Sequence, residues 1–296
     1  MAKEYEERSA IFETSPMDDS DVGIWHQYLD FAEKEGDREK VVELYERCLI
    51  SCTSHAHIWM RYVEFLEDAN MITDASAALS RALVSVEREA LLEICLFSAR
   101  YKERIGDIPG ARQQYCEICS KIDPGSHEAI ESHANFERRL GDHEKACSVY
   151  EDAIAAERKL GKVSDLPALL VRYATFACVV LNNPIKSRQI LSQLHSHNLT
   201  QPVVKAVIDL APCFPGSRDI LFREFLDPLV QKYLLSDLND GGVSTKSEKR
   251  EISLIYFDFL DMFGDINSID VALRQHISLF HEVPYSSFFK NRIRHY

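Results

Sequence analysis

The stretch GDREKVVELYERCL, from Gly36 to Leu49, returns about a hundred residues later as GDHEKACSVYEDAI, from Gly141 to Ile154. Each copy opens with a glycine, the residue that most readily takes the left-handed backbone conformation found at helix ends. A tyrosine follows nine positions after each glycine. Such self-similarity at a distance is typical of internal repeats, which decide a fold before any single motif does.

The same turn residue, glycine or asparagine, recurs along the chain at steps of 34, 36, 35, 41, 34 and 48 residues. Large apolar residues stand nine positions after each turn, and aromatic residues often stand five and eight positions before it. Spacings of three and four place such residues on one face of a helix. The fifth unit shifts its aromatics by one place, to Tyr173 and Phe176, and the sixth matches weakly. The turn series is Gly36, Asn70, Gly106, Gly141, Asn182, Gly216 and Gly264.

Each unit therefore predicts one helix, a left-handed turn and a second helix, with an apolar stripe on both helices. A lone hairpin cannot bury two stripes, so neighbouring hairpins must stack. We predict an all-α, right-handed α-solenoid of about seven tetratricopeptide-like helical hairpins. The aromatic residues are interpreted as the repeat core that interlocks the two helices. These core residues are Trp25, Tyr28, Phe31, Trp59, Tyr62, Phe65, Tyr115, Tyr150, Tyr256 and Phe259.

The predicted organisation has four parts. Residues 1–20 form an N-terminal segment and residues 21–235 hold about six repeats. Residues 236–250, SDLNDGGVSTKSEKR, read as a flexible polar insert that explains the 48-residue step. Residues 251–296 hold the last repeat and a C-terminal tail, which we expect to be a dimerisation element.

Composition narrows the functional classes. The chain is 46% hydrophobic with a net charge of −13, so non-specific binding to a phosphate backbone is not expected. The sequence contains no run of about 18 apolar residues, so no membrane-spanning helix is predicted. The charged start, MAKEYEERSA, does not resemble a signal peptide. Eight scattered cysteines indicate reduced core residues of a cytosolic or nuclear protein.

Enzymatic interpretations find little support. Cys116 and Cys119 have the spacing of a redox motif, but they lie within a predicted helix and no second pair completes a zinc site. Buried helical cysteines are the preferred interpretation. The histidine pairs at 55/57 and 195/197 lie at turns between repeats, with no adjoining carboxylate cluster. No phosphate-binding loop or hydrolase motif occurs, so we expect no catalytic, metal or cofactor site.

The first two units share a detailed pattern. Trp25-x-x-Tyr28-x-x-Phe31-x-Glu33 is followed by the same landmarks from Trp59 to Glu67, and Arg47 and Arg81 also lie 34 apart. This pattern resembles the half-a-tetratricopeptide (HAT) repeat of RNA-processing proteins. Glu33 and Arg47 are expected to cap helices or to pair within the repeat.

A closer resemblance extends over nearly all of residues 3–281. Segments 24–37, 44–65 and 251–280 are similar to the pre-mRNA-processing factor 39 family in its plant form. That resemblance implies a nuclear, non-catalytic scaffold of the U1 small nuclear ribonucleoprotein, acting when the spliceosome engages the 5′ splice site. The family has a further N-terminal block of HAT repeats, so this chain is expected to be the C-terminal half or a shortened isoform. The alternatives are a HAT scaffold of another RNA-processing complex, in 3′-end cleavage or the later spliceosome, and a direct RNA-binding solenoid.

Two surfaces remain as candidates for binding. The basic tail offers weak RNA contacts at Lys290, Arg292 and Arg294, so a protein scaffold is favoured over an RNA binder. The last repeat is too apolar for a solvated end, and the family resemblance implies pairing through C-terminal repeats, with a second copy or with a related HAT protein. The alternative is a tail that folds back as a cap. The predicted interface residues are Ile269, Leu273, Ile277, Phe280, Tyr285, Phe288 and Phe289.

Overall fold

The computed structural model describes residues 19–160, 165–214, 220–236 and 245–282. These residues are almost entirely helical and contain no strand. Within them, no helix is long and apolar enough to cross a bilayer. The chain divides into two compact units, Met1–His133 and Ala134–Tyr296.

The first unit is built from helical hairpins. Its helices are α1 (Asp19–Glu35), α2 (Arg38–Ser51), α3 (Ala56–Asp68), α4 (Ile72–Ser85), α5 (Arg88–Arg104) and α6 (Ile108–Glu117), which continues as a π-helical turn (Ile118–Ile122). Helices α1 and α2, α3 and α4, and α5 and α6 pack as pairs, and α3 also contacts α2 and α5. The boundary between the two units falls within the sequence of helix α7 (His127–Arg139).

The second unit continues the pattern with more irregular helix ends. Its helices are α8 (His143–Leu160), α9 (Leu166–Thr175) with a π-helical turn (Phe176–Val180), α10 (Pro184–Leu191) with a 3₁₀ turn (Ser192–Ser196), α11 (Gln201–Leu210) with a 3₁₀ turn (Ala211–Cys213), α12 (Ile220–Leu235), α13 (Lys246–Phe263) and α14 (Ile266–Phe280). Helix α9 contacts α11, and α11 contacts α13, so the first helices of successive hairpins stack. The prediction of an all-α fold of stacked helical hairpins is confirmed.

The left-handed turns appear at five of the predicted positions. Their φ angles are 80° at Gly36, 62° at Asn70, 83° at Gly106, 83° at Gly141 and 51° at Asn182. After Asn70, Gly106 and Gly141, the N–H of the next residue donates to a carbonyl five residues back, as in Met71 N to Leu66 O at 2.8 Å. After Asn182, behind the π-helical turn, Asn183 N donates six residues back, to Ala177 O at 2.8 Å. This arrangement satisfies carbonyls that the helix end would otherwise leave unpaired.

At four of these five turns (Gly36, Gly106, Gly141 and Asn182) the side chain of the next residue caps the second helix, whereas Met71, which follows Asn70, makes no side-chain cap. The Asp107 side chain accepts from the N–H of Gly110 at 3.0 Å, and Asn183 accepts from Lys186 at 3.0 Å. A short polar side chain at this position satisfies one of the free N–H groups of the new helix. The pair of glycine or asparagine followed by aspartate or asparagine therefore ends one helix and starts the next.

Gly264 does not follow this pattern, and its predicted left-handed conformation is wrong. Its backbone is extended, with φ −82° and ψ −179°. A Cβ added there would lie 2.5 Å from the carbonyl oxygen of Leu260, so glycine is needed for space and not for a positive φ. The turn at Gly216 lies outside the described residues.

The predicted polar insert at 236–250 extends too far. Helix α13 already begins at Lys246, behind a capping box in which Thr245 Oγ1 accepts from Glu248 N at 3.2 Å. In return, Glu248 Oε2 accepts from Thr245 N at 2.6 Å. The T-x-x-E pattern that builds this box is visible in the sequence and was overlooked. Residues 1–18 and 237–244, from the predicted N-terminal segment and insert, lie outside the described residues.

The predicted repeat core is unevenly buried. Eight of its ten residues are buried, namely Trp25, Tyr28, Trp59, Tyr62, Tyr115, Tyr150, Tyr256 and Phe259. Phe31 and Phe65 are only half-buried. Phe259 stands at the equivalent position, five residues before Gly264, and is buried, so distance from the turn does not account for the difference.

Candidate interaction site

The aromatic landmarks join neighbouring hairpins more than they join the two helices of one hairpin. Tyr45 of α2 stacks on Tyr62 of α3, with ring centroids 4.8 Å apart, and its ring lies 5.6 Å from that of Phe65. Tyr150 of α8 repeats this contact, 4.9 Å from Tyr173 and 5.3 Å from Phe176 of α9. The tyrosine nine residues after the turn is therefore the packing centre between one hairpin and the next.

The one-place shift of the fifth unit has a local cause. Tyr173 lies nine residues before Asn182, whereas Tyr62 lies eight residues before Asn70. The π-helical turn Phe176–Val180 lies between the shifted aromatics and their turn. Because a π turn takes in one more residue than an α turn, the aromatics keep their contact with Tyr150 while the hairpin turn keeps its place.

Acidic residues on the second helices bind the following hairpin. Glu46 accepts a hydrogen bond from Tyr62 Oη at 2.9 Å and a bidentate pair from Arg81 at 2.8 and 2.8 Å. The Arg81 hydrogen bonds hold the pKa of Glu46 below its usual range. Glu151 repeats the arrangement, accepting from Tyr173 Oη at 2.7 Å and pairing with Lys186 at 3.2 Å.

A related contact corrects the expectation for Glu33. Its carboxylate accepts from Tyr45 Oη of its own hairpin, but also from Arg61 of α3 at 3.1 and 2.9 Å. Arg61 reaches Asp30 as well, at 2.5 Å. Glu33 therefore pairs between hairpins, and not only within its own repeat. These tyrosine, glutamate and arginine side chains make the contacts between stacked hairpins. Binding of partners would therefore fall to other exposed side chains.

The histidines between the first two hairpins form a compact group. His26 stacks on His57 with ring centroids 5.0 Å apart, and His55 meets His57 edge-on at 5.7 Å. Burial, and then the nearby Arg61 guanidinium, lowers the pKa of His26. Burial, and then His26 and His55, lowers the pKa of His57. Among the described residues, no group of three or more His, Cys, Asp or Glu side chains is placed to hold a metal ion.

The cysteines do not all occupy the core. Cys48, Cys52, Cys95, Cys147 and Cys178 are buried, as the composition suggested. Cys116 is exposed, so its interpretation as a buried helical cysteine is wrong. Cys119 is half-buried, and burial raises its pKa to about 11, which disfavours a reactive thiolate.

The apolar stripe of the last helix divides between two faces. Ile269 and Phe280 are buried, together with Ala272 and His276 at the same helical spacing. Leu273 is half-buried and Ile277 is 38% exposed, and both share the other face with Ile266. The first pair therefore belongs to the core of the second unit. The remaining interface candidates (Tyr285, Phe288, Phe289) and RNA-contact candidates (Lys290, Arg292, Arg294) lie outside the described residues.

Comparison with known proteins adds a family relationship. Residues 2–139 match the family described as PRP39 C-terminal HAT repeat. The chain is 32% identical over 291 residues to Pre-mRNA-processing factor 39-2 of Arabidopsis thaliana, covering 96% of this chain and 27% of that protein.

Two fungal relatives match shorter segments. Pre-mRNA-processing factor 39 of Schizosaccharomyces pombe is 32% identical over 140 residues, or 46% of this chain and 22% of the relative. Pre-mRNA-splicing factor clf1 of Aspergillus fumigatus is 41% identical over 63 residues, or 20% of this chain and 9% of the relative. The chain thus spans about a quarter, or less, of the length of these relatives.

Proposed function

This chain belongs to the pre-mRNA-processing factor 39 family of HAT-repeat proteins, and from that membership we propose that it is a non-catalytic scaffold of the U1 small nuclear ribonucleoprotein. In this role it bridges proteins of that particle in the nucleus while the 5′ splice site is recognised. Similarity over 96% of the chain to a factor named for pre-mRNA processing is the observation that carries the proposal.

The chemistry of the hairpins agrees with a scaffold. Buried tyrosines and inter-hairpin ion pairs hold the repeats in register, as Glu46 does with Tyr62 and Arg81. Stacked hairpins repeat an exposed face from one unit to the next, which suits contact with other proteins.

A direct RNA-binding role is less well supported. Among the described residues, the repeat tyrosines Tyr45 and Tyr150 are stacked on rings of the next hairpin and are not available to stack on bases. The net charge of −13 also opposes a phosphate backbone. The similarity to a splicing factor of another name over 63 residues favours a different second candidate, a scaffold of another splicing complex.

A pull-down from nuclear extract tests the role. We expect the tagged full chain to recover U1 small nuclear ribonucleoprotein proteins, identified by mass spectrometry, before and after ribonuclease treatment, because protein contacts should not need RNA. Recovery that disappears with ribonuclease would favour the RNA-binding alternative. Recovery of proteins from another processing complex, without U1 proteins, would contradict the U1 assignment.

The proposed partners include a second copy of the chain or a related HAT protein, bound through the last hairpin. The support is the partly exposed apolar face of α14, formed by Ile266, Leu273 and Ile277. A two-fold dimer would bring the same face together from both copies.

Formation of the homodimer should double the molar mass of the chain in solution. We expect light scattering after gel filtration to give about twice 33.9 kDa at tens of micromolar. Ile277→Glu should yield a monomer with unchanged helicity, because it places a charge on the shared apolar face at an exposed position. Val84→Glu, at an 88% exposed position on α4, is the matched control and should leave the dimer intact. A monomeric unsubstituted chain would refute the homodimer and favour the self-capping tail.

A further inference from the structure

Three consecutive hairpins of the second unit bring basic side chains together where their second helices end. Arg158 lies in the last turn of α8, and Lys232 lies in the last turn of α12. Between them is the end of the α10 segment, with His195 in its final 3₁₀ turn and His197 just after it. We call Arg158, His195, His197 and Lys232 the cation cluster.

Direct contacts hold the cluster together. Lys232 Nζ donates to the carbonyl oxygens of His195 at 2.7 Å and His197 at 2.8 Å. Arg158 Nη2 donates to Gln193 Oε1 at 2.6 Å. The His195 ring meets Phe225 edge-on, with centroids 4.7 Å apart. Side chains some 35 residues apart in sequence are thus fixed around one point of the surface.

The two cations differ from the arginines that join hairpins elsewhere. Arg61, Arg81 and Arg104 each pair with a glutamate. In the part of the chain that the structure describes, the polar partners of Arg158 and Lys232 are an amide and two carbonyls, which carry no negative charge. A guanidinium has five N–H donors and an ammonium three, so both side chains keep donors for a ligand. Both are exposed to solvent.

The positive charges of Arg158 and Lys232 both act on the imidazole of His197. Burial lowers the pKa of His197, and the positive charges of Arg158 and Lys232 lower it further. A positive field at this point contrasts with the net charge of −13 of the whole chain. An anion bound here would gain attraction from both cations and could take a proton-bearing imidazole as a third donor.

We propose that the cation cluster is a phosphate-recognition site for a phosphorylated serine or threonine of a partner protein. A phosphate dianion offers three strong acceptor oxygens, which match two cations and an imidazole better than a single carboxylate does. Because the chain as a whole carries a net charge of −13, basic residues flanking the phosphate should add attraction.

The same charge balance argues against RNA as the ligand. A nucleic acid carries a negative charge on every nucleotide, so its binding needs an extended basic track. The cation cluster gathers its charge at one point. The inference rests on the geometry of the second unit, so its test can fail while the proposed splicing role stands, and the reverse also holds.

Fluorescence anisotropy with a labelled Arg-Gly-Ser-Gly-Arg peptide, phosphorylated or not at serine, tests the site. We expect the phosphopeptide to bind about tenfold tighter or more, and Arg158→Gln and Lys232→Gln each to remove about tenfold of that affinity. Lys145→Gln makes the same charge change at the other end of α8, where Lys145 pairs with Asp142 at 2.9 Å, and should bind like the unsubstituted chain. Unchanged thermal unfolding of Arg158→Gln would show that its loss is not a folding defect.

A second readout follows the imidazole itself. In NMR titrations, the phosphopeptide should raise the pKa of His197, because a nearby dianion favours the imidazolium. Equal affinity for the two peptides, or an equal loss in Lys145→Gln, would overturn the proposal. A short uridine oligonucleotide that binds more tightly than the phosphopeptide, and loses affinity in the same variants, would replace it with an RNA site.

Discussion

Replacing Trp59 with alanine is expected to lower the free energy of unfolding by about 3–5 kcal/mol, since this is the usual cost of emptying a buried aromatic site. The Trp59 side chain is 2% exposed. Its Nε1 donates to the carbonyl oxygen of Thr53 at 2.8 Å, and the Arg81 guanidinium lies 5.1 Å from the ring centroid. The ring therefore ties the loop before α3 to the second helix of its hairpin.

Urea unfolding measures the loss, and hydrogen exchange locates it. Because repeat units couple mainly to their neighbours, amides in residues 40–100 should exchange faster in the variant. Trp59→Phe should cost less, since it keeps most of the apolar area and loses the hydrogen bond. Val84→Ala, at an 88% exposed position, should stay within about 0.5 kcal/mol. Unchanged exchange in residues 40–100 of Trp59→Ala would contradict the assigned register.

The hairpin turns were predictable because a left-handed turn depends on the backbone preference of a single residue. A positive φ is costly for residues with a side chain, so glycine and asparagine at regular spacing predicted the left-handed turns at Gly36, Asn70, Gly106, Gly141 and Asn182. The left-handed conformation predicted at Gly264 is wrong because glycine is also required where a Cβ would collide with the backbone. The sequence alone cannot separate these two uses.

Contacts between hairpins were harder to predict. Helical spacing assigns a residue to a face but does not say which neighbouring helix that face meets. Glu33 was therefore expected to cap a helix or to pair within its repeat; it does accept from Tyr45 there, but it also binds Arg61 of the next hairpin. For the same reason the stripe of α14 was taken as one surface, although Ile269 turns into the core and Ile277 does not.

A usable signal for these contacts was present in the repeat period. Residues one period apart occupy equivalent places on adjacent hairpins, so their side chains can meet. Glu46 and Arg81 are 35 residues apart, as are Arg158 and Gln193. The contact from Lys232 to the carbonyl of His197 spans 35 residues as well. Polar side chains at this spacing therefore indicate the Glu46–Arg81 pair and the Arg158–Gln193 contact, whereas the Lys232 contacts to backbone carbonyls leave no such signal.

The second large effect is expected at Tyr150, the packing centre of the second unit. Its side chain is 1% exposed and contacts the rings of Tyr173 and Phe176 on the following hairpin. Tyr150→Ala should lower the free energy of unfolding by about 3–4 kcal/mol through the lost transfer energy and the cavity left behind. Tyr150→Phe keeps the stacked ring and its contacts with Tyr173 and Phe176, and should therefore cost much less than Tyr150→Ala.

Hydrogen exchange in Tyr150→Ala should show whether the substitution weakens one junction between hairpins or the whole core of the second unit. Tyr150 packs on α9, so amides of α9 and of the turn at Asn182 should exchange faster than those of α13 and α14, which lie further along the stack. The π-helical turn Phe176–Val180 exists to hold the shifted aromatics against Tyr150, and its amides should be the most affected. Equal acceleration of exchange throughout α8 to α14 would show that the second unit unfolds as one body. That result would contradict coupling mainly between adjacent hairpins.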